Sequence, residues 1–309
     1  MLRHITAGLA LALLATVGTA AARTIQVGPE RPARTLAAAL AEAAAGDRLL
    51  IDEGEYFDCA TIGTSDLVIE GAGKDGATVL TDRTCGGKAL LVVAGDNITI
   101  RNLTLARARV PDGNGAGIRA EGTNLTVDHV AFINNQNGIL AAANRASTLI
   151  VKDSSFSRNG VCGGACSHGI YAGGIKLLHV ENTTFSETRQ GHHIKSRAAR
   201  TEVVGCTIVD GPGGTSSYLI EIPNGGSLLV RNSTLEKGPK SENHGGAIVI
   251  GMEGVTQPTR DIVIEDNVFR NTGSYPTFLV LNETATEAML KGNMLSGKSK
   301  PLRGDGMVR

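Results

Sequence analysis

The feature that most constrains this chain is a repeat. Alternating apolar residues run into a polar or glycine position, and another apolar residue follows three places on. The pattern reads ITIRNLTL at Asn102, LTVDHVAF at His129, LIVKDSSF at Asp153 and LHVENTTF at Asn182. It continues as EVVGCTI at Gly205, LLVRNSTL at Asn232, IVIEDNVF at Asp266 and AMLKGNML at Gly292. These marks lie 27, 24, 29, 23, 27, 34 and 26 residues apart. A period in the twenties means stacked units, none of which can bury its apolar face alone. Within each unit the alternation has a period of two, so the units are strands. Gly-, Asn- and Ser-rich turns separate them. A second strand recurs in phase: GIRA at Gly117, GILA at Gly138, GIYA at Gly169, HIKS at His193, LIEI at Leu219, AIVI at Ala247 and FLVL at Phe278. Each coil therefore carries at least two short strands, paired in parallel with the next coil at about 4.8 Å.

Composition fits such a stack. Aromatic residues make up 3% of the chain, Trp is absent and 40 of 309 residues are Gly. A large core with so few rings must be built from aliphatic ladders between tight turns. Lys+Arg and Asp+Glu are both 30, giving zero formal charge. That balance argues against a nucleic-acid partner, which calls for a basic excess. An exposed solenoid end is a sheet edge and needs a cover. Thr35 to Ala45 (TLAAALAEAAA) is the one strong helical pattern, with Leu36, Leu40 and Ala44 on a shared face and Gly46 as its stop. It is expected to cap the first coil. No carboxy-terminal cap is legible. Residues 298–309 read as a loose polar tail, and Arg303-Gly304-Asp305 as a chance tripeptide.

Residues 1–22 have the form of a secretory signal peptide: Arg3 and His4, an apolar run from Ile5 to Ala20, then Ala20-Ala21-Ala22 as a small-residue cleavage site. No later stretch is apolar enough to span a membrane. The expectation is a periplasmic or secreted protein with one domain over residues 23–297. In an oxidising compartment cysteines pair. Cys59 and Cys85 are 26 residues apart, about one coil, so they can stack within disulfide reach. Cys162 and Cys166 share one Gly-rich loop and can close a small ring. Cys206 is left as a buried free thiol.

These repeats resemble the right-handed parallel β-helix proteins of the pectin-lyase-like group, over roughly residues 24 to 297. The helix followed by GDRLLIDEGEY is similar to their amino-terminal start, and the Φ-x-Φ-x-N-x-x-Φ coils to their general repeat. The resemblance implies an all-β fold, a single right-handed parallel β-helix of nine to ten coils. The group includes lyases, epimerases, hydrolases and non-enzymatic surface proteins, most acting on acidic polysaccharides. HGIYAG followed one coil later by GHHIKSR is similar to paired coils of mannuronate epimerase-like proteins, although their Asp-Pro-His segment is absent at Ile170 to Gly173.

Stacking the second strand locates candidate chemistry. With Ile118, Ile139, Ile170, Ile194, Ile220 and Ile248 inward, the next residues point outward: Arg119, Leu140, Tyr171, Lys195, Glu221 and Val249. Strict alternation also places His193 outward and Arg197 beyond Lys195, with His168 and His192 where the strands begin. These residue types suit a uronate sugar. Arg197 can hold a carboxylate in a fork, with His192, His168 and Arg119 as further binding groups. Lys195 or His193 can remove the proton beside that carboxylate. Neighbouring cations are expected to lower the Lys195 pKa, with Glu221 opposing them. Tyr171 can protonate the leaving oxygen, giving a lyase, or the opposite ring face, giving an epimerase. A hydrolase needs paired carboxylates, and this patch offers only Glu221.

Other readings compete. Surface charges on a strand are ordinary, and Lys195 with Glu221 can be a simple ion pair. Cys162, Cys166, His168 and His192 could bind zinc or copper, but export favours the disulfide. Calcium is common in the resembling group, yet no dense acidic cluster is legible, so no cofactor is assigned. Gly71-Ala-Gly73-Lys-Asp-Gly76 matches a dinucleotide fingerprint, but a strand follows it, which makes it a turn. Two functions of different class remain: an enzyme acting on an acidic polysaccharide, and a non-catalytic glycan-binding or envelope-scaffold protein. Cleft walls formed by loops Arg158–Ser167, Gly211–Ser217 and Gly238–His244 favour the enzyme.

Overall fold

The computed structural model describes residues 21–74 and 76–309. The expected leader therefore lies outside the described residues, apart from Ala21 and Ala22. At all eight repeat marks the backbone turns a corner with φ between 47° and 64°: Asn102, His129, Asp153, Asn182, Gly205, Asn232, Asp266 and Gly292. This left-handed region is open to Gly and enriched in Asn, Asp and His. At Gly205 an added Cβ would sit 2.8 Å from Asn182 Oδ1, so side-chain space is closed there as well. The strands Ile98–Ala106 and Leu125–Ile133 pass through the corner as single bent strands. In later coils the corner separates two, as in Thr148–Lys152 and Ser155–Ser157.

Two faces of each coil meet at this corner and join into a twenty-stranded parallel sheet. The third face is a separate parallel sheet of ten strands, from Ala60–Ile62 to Ser299–Arg303. Its register pairs Ile118, Ile139, Ile170, Ile194, Ile220 and Ile248 in one continuous ladder, each fully buried. The aliphatic core follows directly. Three of the few aromatic rings are spent on one inward stack, Phe132 on Phe156 at 4.4 Å and Phe156 on Phe185 at 4.6 Å. From Asp153 to Asp266 the residue after each corner forms a polar ladder: Ser154, Thr183, Cys206, Ser233 and Asn267 are all buried. The Cys206 N–H donates to Ser233 Oγ at 3.0 Å, and the Ser233 N–H to Asn267 Oδ1 at 2.9 Å. Cys206 thus sits in the polar part of a row whose earlier members, Leu103 and Val130, are apolar. It is a free buried thiol, pushed up to about 11 by burial.

The cap helix is Leu36–Glu42, shorter than its sequence pattern. Thr35 Oγ1 accepts the Ala38 N–H at 3.1 Å, the usual N-cap bond. Leu36 and Ala39 are buried against the first coil, whereas Ala44 is exposed. The Asp47 carboxylate accepts the Ala44 N–H at 3.0 Å and pulls the chain into a turn before the helix can continue. Both expected disulfides are present, Cys59–Cys85 and Cys162–Cys166. The dinucleotide-like segment leads into the strand Thr78–Thr81.

The expectation of a loose tail is corrected. Ser299–Arg303 pairs with Thr277–Asn282, and Gly306–Val308 with Ala288–Lys291. Unpaired edge donors on the last coil attract any strand that can reach them, even a polar one. Among the described residues no helix is long and apolar enough to cross a membrane.

Candidate active site

The outward row of the third face is as its spacing predicts. Arg119, Leu140, Tyr171, Lys195, Glu221 and Val249 are successive partners in register. Tyr171, Lys195 and Glu221 are adjacent and make one cluster. Arg119 does not join it: Leu140 stands between, and Arg119 instead lies 3.4 Å from Glu121. Among the described residues its buried Nε has no hydrogen-bond partner.

Lys195 Nζ sits 2.8 Å from Glu221 Oε2 and 2.7 Å from Glu253 Oε1, with its side chain only 12% exposed. Arg197 donates from Nε to the Tyr171 hydroxyl at 2.8 Å, from Nη2 to Glu253 Oε2 at 2.6 Å, and from Nη1 to Asn224. The Glu253 carboxylate therefore bridges the two cations, one oxygen on each. Glu253 and Asn224 were not legible as site residues. They arrive on turns after the third-face strands of the next coils, and Glu253 lies in a Gly251-to-Gly254 turn with both glycines at positive φ.

Beside this cluster runs a ring stack. His168 packs on Tyr171 at 5.7 Å and on His192 at 4.9 Å, and His192 packs on Tyr218 at 5.4 Å. Backbone donors fix both imidazoles. His168 Nδ1 accepts the His192 N–H at 3.0 Å, and His192 Nδ1 accepts the Tyr218 N–H at 3.1 Å. Each neutral ring then carries its proton on Nε2. His192 Nε2 is 2.9 Å from Glu221 Oε2, in contact although off the ideal hydrogen-bond direction.

His193 is a correction. It is fully buried, Nδ1 2.8 Å from Thr188 Oγ1 and Nε2 3.0 Å from Asp210 Oδ1. Alternation holds only within a strand, and the strand here is Ile194–Ser196. In the bend before it two successive residues face inward, as Leu219 and Ile220 do one coil on. Asp210 is itself fully buried and also accepts from Ser216 Oγ at 2.5 Å and the Gly238 N–H at 3.0 Å. Nearby Lys237, also fully buried, donates to Ser217 O at 2.6 Å and is brought down to about 8 by burial, against the pull of Asp210. This interior polar group holds the loop that leads to Tyr218.

The charge states follow from these partners. Burial lowers Lys195, but Glu221 and Glu253 more than offset it, so its pKa is raised rather than lowered as expected. Burial raises Glu221, yet His192 and Lys195 bring it down to about 2. His168 and His192 are lowered, both chiefly by burial. At neutral pH the resting cluster is two cations on two carboxylates beside neutral imidazoles.

A groove of about 450 Å³ lies elsewhere, along the corner row, lined by His129, Asp153, Asn182 and their neighbours. Among the described residues Asp128, His129 and Asp153 bring ligand atoms within 4.8 Å of one another there, a cluster that sequence spacing did not single out. Asp128 is already engaged by Lys152 at 3.1 Å and by His129.

No curated protein matches the sequence. The family model described as right handed beta helix region matches residues 151–300. Among solved structures, an alginate lyase from Paenibacillus sp. str. FPU-7 superposes with a TM-score of 0.64 at 18% identity, covering 92% of this chain and 99% of that one. The pectate lyase Pel9A superposes with a TM-score of 0.50 at 15% identity, covering 94% and 78%. Parallel coils on three faces, together with these likenesses, make the chain a right-handed parallel β-helix of the pectin-lyase-like fold.

Proposed function

We propose that this is an exported protein acting on a uronate-containing polysaccharide by removing the proton beside the uronate carboxylate, as a lyase or an epimerase. The observation that carries the reading is the Glu253 carboxylate bridging Lys195 and Arg197 at 2.7 and 2.6 Å. A carboxylate is already seated where a substrate carboxylate is needed, and it belongs to an exposed, Gly-flanked turn that can withdraw. The uronate carboxylate takes its place on Arg197. Lys195 then loses one of the two groups that keep it charged, while the bound sugar excludes water. Both changes favour release of its proton. Neutral Lys195 removes the proton from the carbon bearing the carboxylate.

Tyr171 completes the reaction. Its oxygen accepts from Arg197, which leaves its proton free for delivery. Given to the glycosidic oxygen as the carbon–oxygen bond breaks, that proton completes an elimination and leaves a carbon–carbon double bond. Given to the opposite ring face, it completes an epimerisation. His192 orients Glu221. His193 has no part in this scheme. The two disulfides are compatible with a periplasmic or secreted location. The lyase and pectate lyase likenesses support a polysaccharide substrate by fold.

A second reading, glycan binding without turnover, draws on one fact: at rest Lys195 is a paired cation, not a free base. The test is a panel of acidic polysaccharides assayed for unsaturated products and for epimerised residues. On whichever polymer responds, Lys195→Ala is expected to lower kcat at least a hundredfold, in the range for removing a general base. Arg197→Ala is expected to weaken binding as well. Normal activity in a folded Lys195→Ala/Arg197→Ala protein refutes the site. Binding without any product leaves the second reading.

A further inference from the structure

A cleft of about 400 Å³ opens beside this site, lined by Arg109, Gln136, Gly160, Val161, Arg189 and Gln190. Gln190 is two residues from His192, so the cleft edge lies within about 7 Å of the ring stack along the chain. Two guanidiniums converge here. Arg109 donates to Ala108 O at 2.9 Å and to Asn134 Oδ1 at 2.7 Å. Arg189 donates to the same Asn134 oxygen and to Arg158 O at 2.9 Å. Every acceptor is neutral. Among the described residues no carboxylate is within ion-pair distance of either arginine. Their neighbours differ: Arg107 pairs with Asp82 and Glu55, and Arg158 approaches Glu187 at 4.0 Å.

Two like charges drawn to one carbonyl oxygen repel, and the Asp82 carboxylate, beyond ion-pair distance, offsets this only in part. Burial and the Arg189 charge together outweigh the Asp82 charge and push the Arg109 pKa down, the direction that favours an anion between them. Each fork has five donors, and the carbonyls engage only some of them. The arginines are held in place by neutral groups while their charge stays unspent, an arrangement that suits a carboxylate bound through paired N–H groups.

We propose that this cleft is a second carboxylate subsite, taking a uronate residue of the same polymer some sugars away from the one at Lys195. It rests on the uronate reading above. It makes the protein prefer long chains, because a polymer anchored at two places binds more tightly than a fragment reaching one.

The experiment is arginine footprinting with phenylglyoxal, read residue by residue by mass spectrometry on the folded protein. The probes are oligomannuronate and oligogalacturonate of two and eight sugars, monomeric glucuronate and inorganic phosphate. The octamer is expected to slow modification of Arg109, Arg189 and Arg197 about tenfold, the worth of a charge-assisted pair, and the dimer to protect Arg197 alone. In Arg109→Gln/Arg189→Gln, octamer affinity is expected to fall about tenfold with dimer affinity unchanged. If the octamer protects Arg197 while Arg109 and Arg189 react at their free rate, the subsite is refuted and the function stands. If no oligouronate protects Arg197, the function fails. Protection of Arg109 and Arg189 by glucuronate but not phosphate then upholds the cleft as a carboxylate site, and no protection refutes it. Equal protection by phosphate overturns the uronate assignment. Should the double variant misfold, the footprint on the unaltered protein still decides.

Discussion

Glu253→Gln isolates the displaced carboxylate. Glutamine keeps the side-chain size and one oxygen but removes the charge that bridges Lys195 and Arg197. Glu253 is 40% exposed, so each contact belongs on the scale of surface pairs, about 0.2–1 kcal/mol. Together the two contacts hold the closed arrangement by about 1 kcal/mol. A substrate carboxylate that must displace Glu253 loses that amount, so Glu253→Gln should lower KM about fivefold. A second readout separates displacement from mere contact. Glu253 is one of the two groups that raise Lys195. Its neutralisation should move the acid limb of the kcat/KM–pH profile, which reports the free enzyme, to lower pH, since Lys195 then loses its proton more readily. The assay is initial-rate kinetics across pH on the polymer found by the screen, with circular dichroism to verify folding. A raised KM, or an acid limb that stays in place, would falsify the displacement argument and make Glu253 a fixed part of the machinery.

Three further outcomes follow from the interior. His168 and His192 have folded pKa values below the ordinary 6.5, so the unfolded chain takes up protons first. Their contribution to stability is intact above about pH 6.5 and is lost as the pH falls below it; melting temperatures across pH 7 to 5 should fall, and a flat profile refutes the buried neutral assignment. Lys237 lies at about 8 when folded against 10.5 unfolded, so the unfolded chain binds the extra proton between those values. Stability should therefore rise by about 3 kcal/mol between them, and Lys237→Met should flatten that rise in urea titrations. Cys59→Ser/Cys85→Ser opens a loop closed over 26 residues and should cost about 3.5 kcal/mol by the chain-entropy relation; an unchanged denaturation midpoint refutes it.

The repeat made most of the fold legible, for a local reason. A corner at positive φ admits few residue types, so Asn102, Asp153, Asn182 and Asn232 announce it without any tertiary information. Once the corners are known, coil length follows, and with it the stacking of Cys59 on Cys85 and the row from Arg119 to Val249. Legibility stopped where alternation stopped. His193 was misplaced because the bend before Ile194 turns two successive residues inward, and its buried partners Thr188 and Asp210 favour that orientation. The tail was misread because composition does not register the pull of an open sheet edge on a polar segment.

The chemistry divides in the same way. Tyr171, Lys195 and Glu221 are neighbours because coil spacing and strand register make them so, and both are written in the sequence. Whether Lys195 is free or clamped depends on Glu253, which lies 58 residues further along the chain. The turn that carries Glu253 has no repeat signal, and its reach over the strand is decided by turn conformation rather than by period. The same holds for Arg109 and Arg189, brought to one Asn134 oxygen from separate coils. Periodicity specifies which residues share a face, because strand geometry is uniform. The charge a residue carries there is decided only by the tertiary structure, because it depends on burial and on partners delivered by irregular loops.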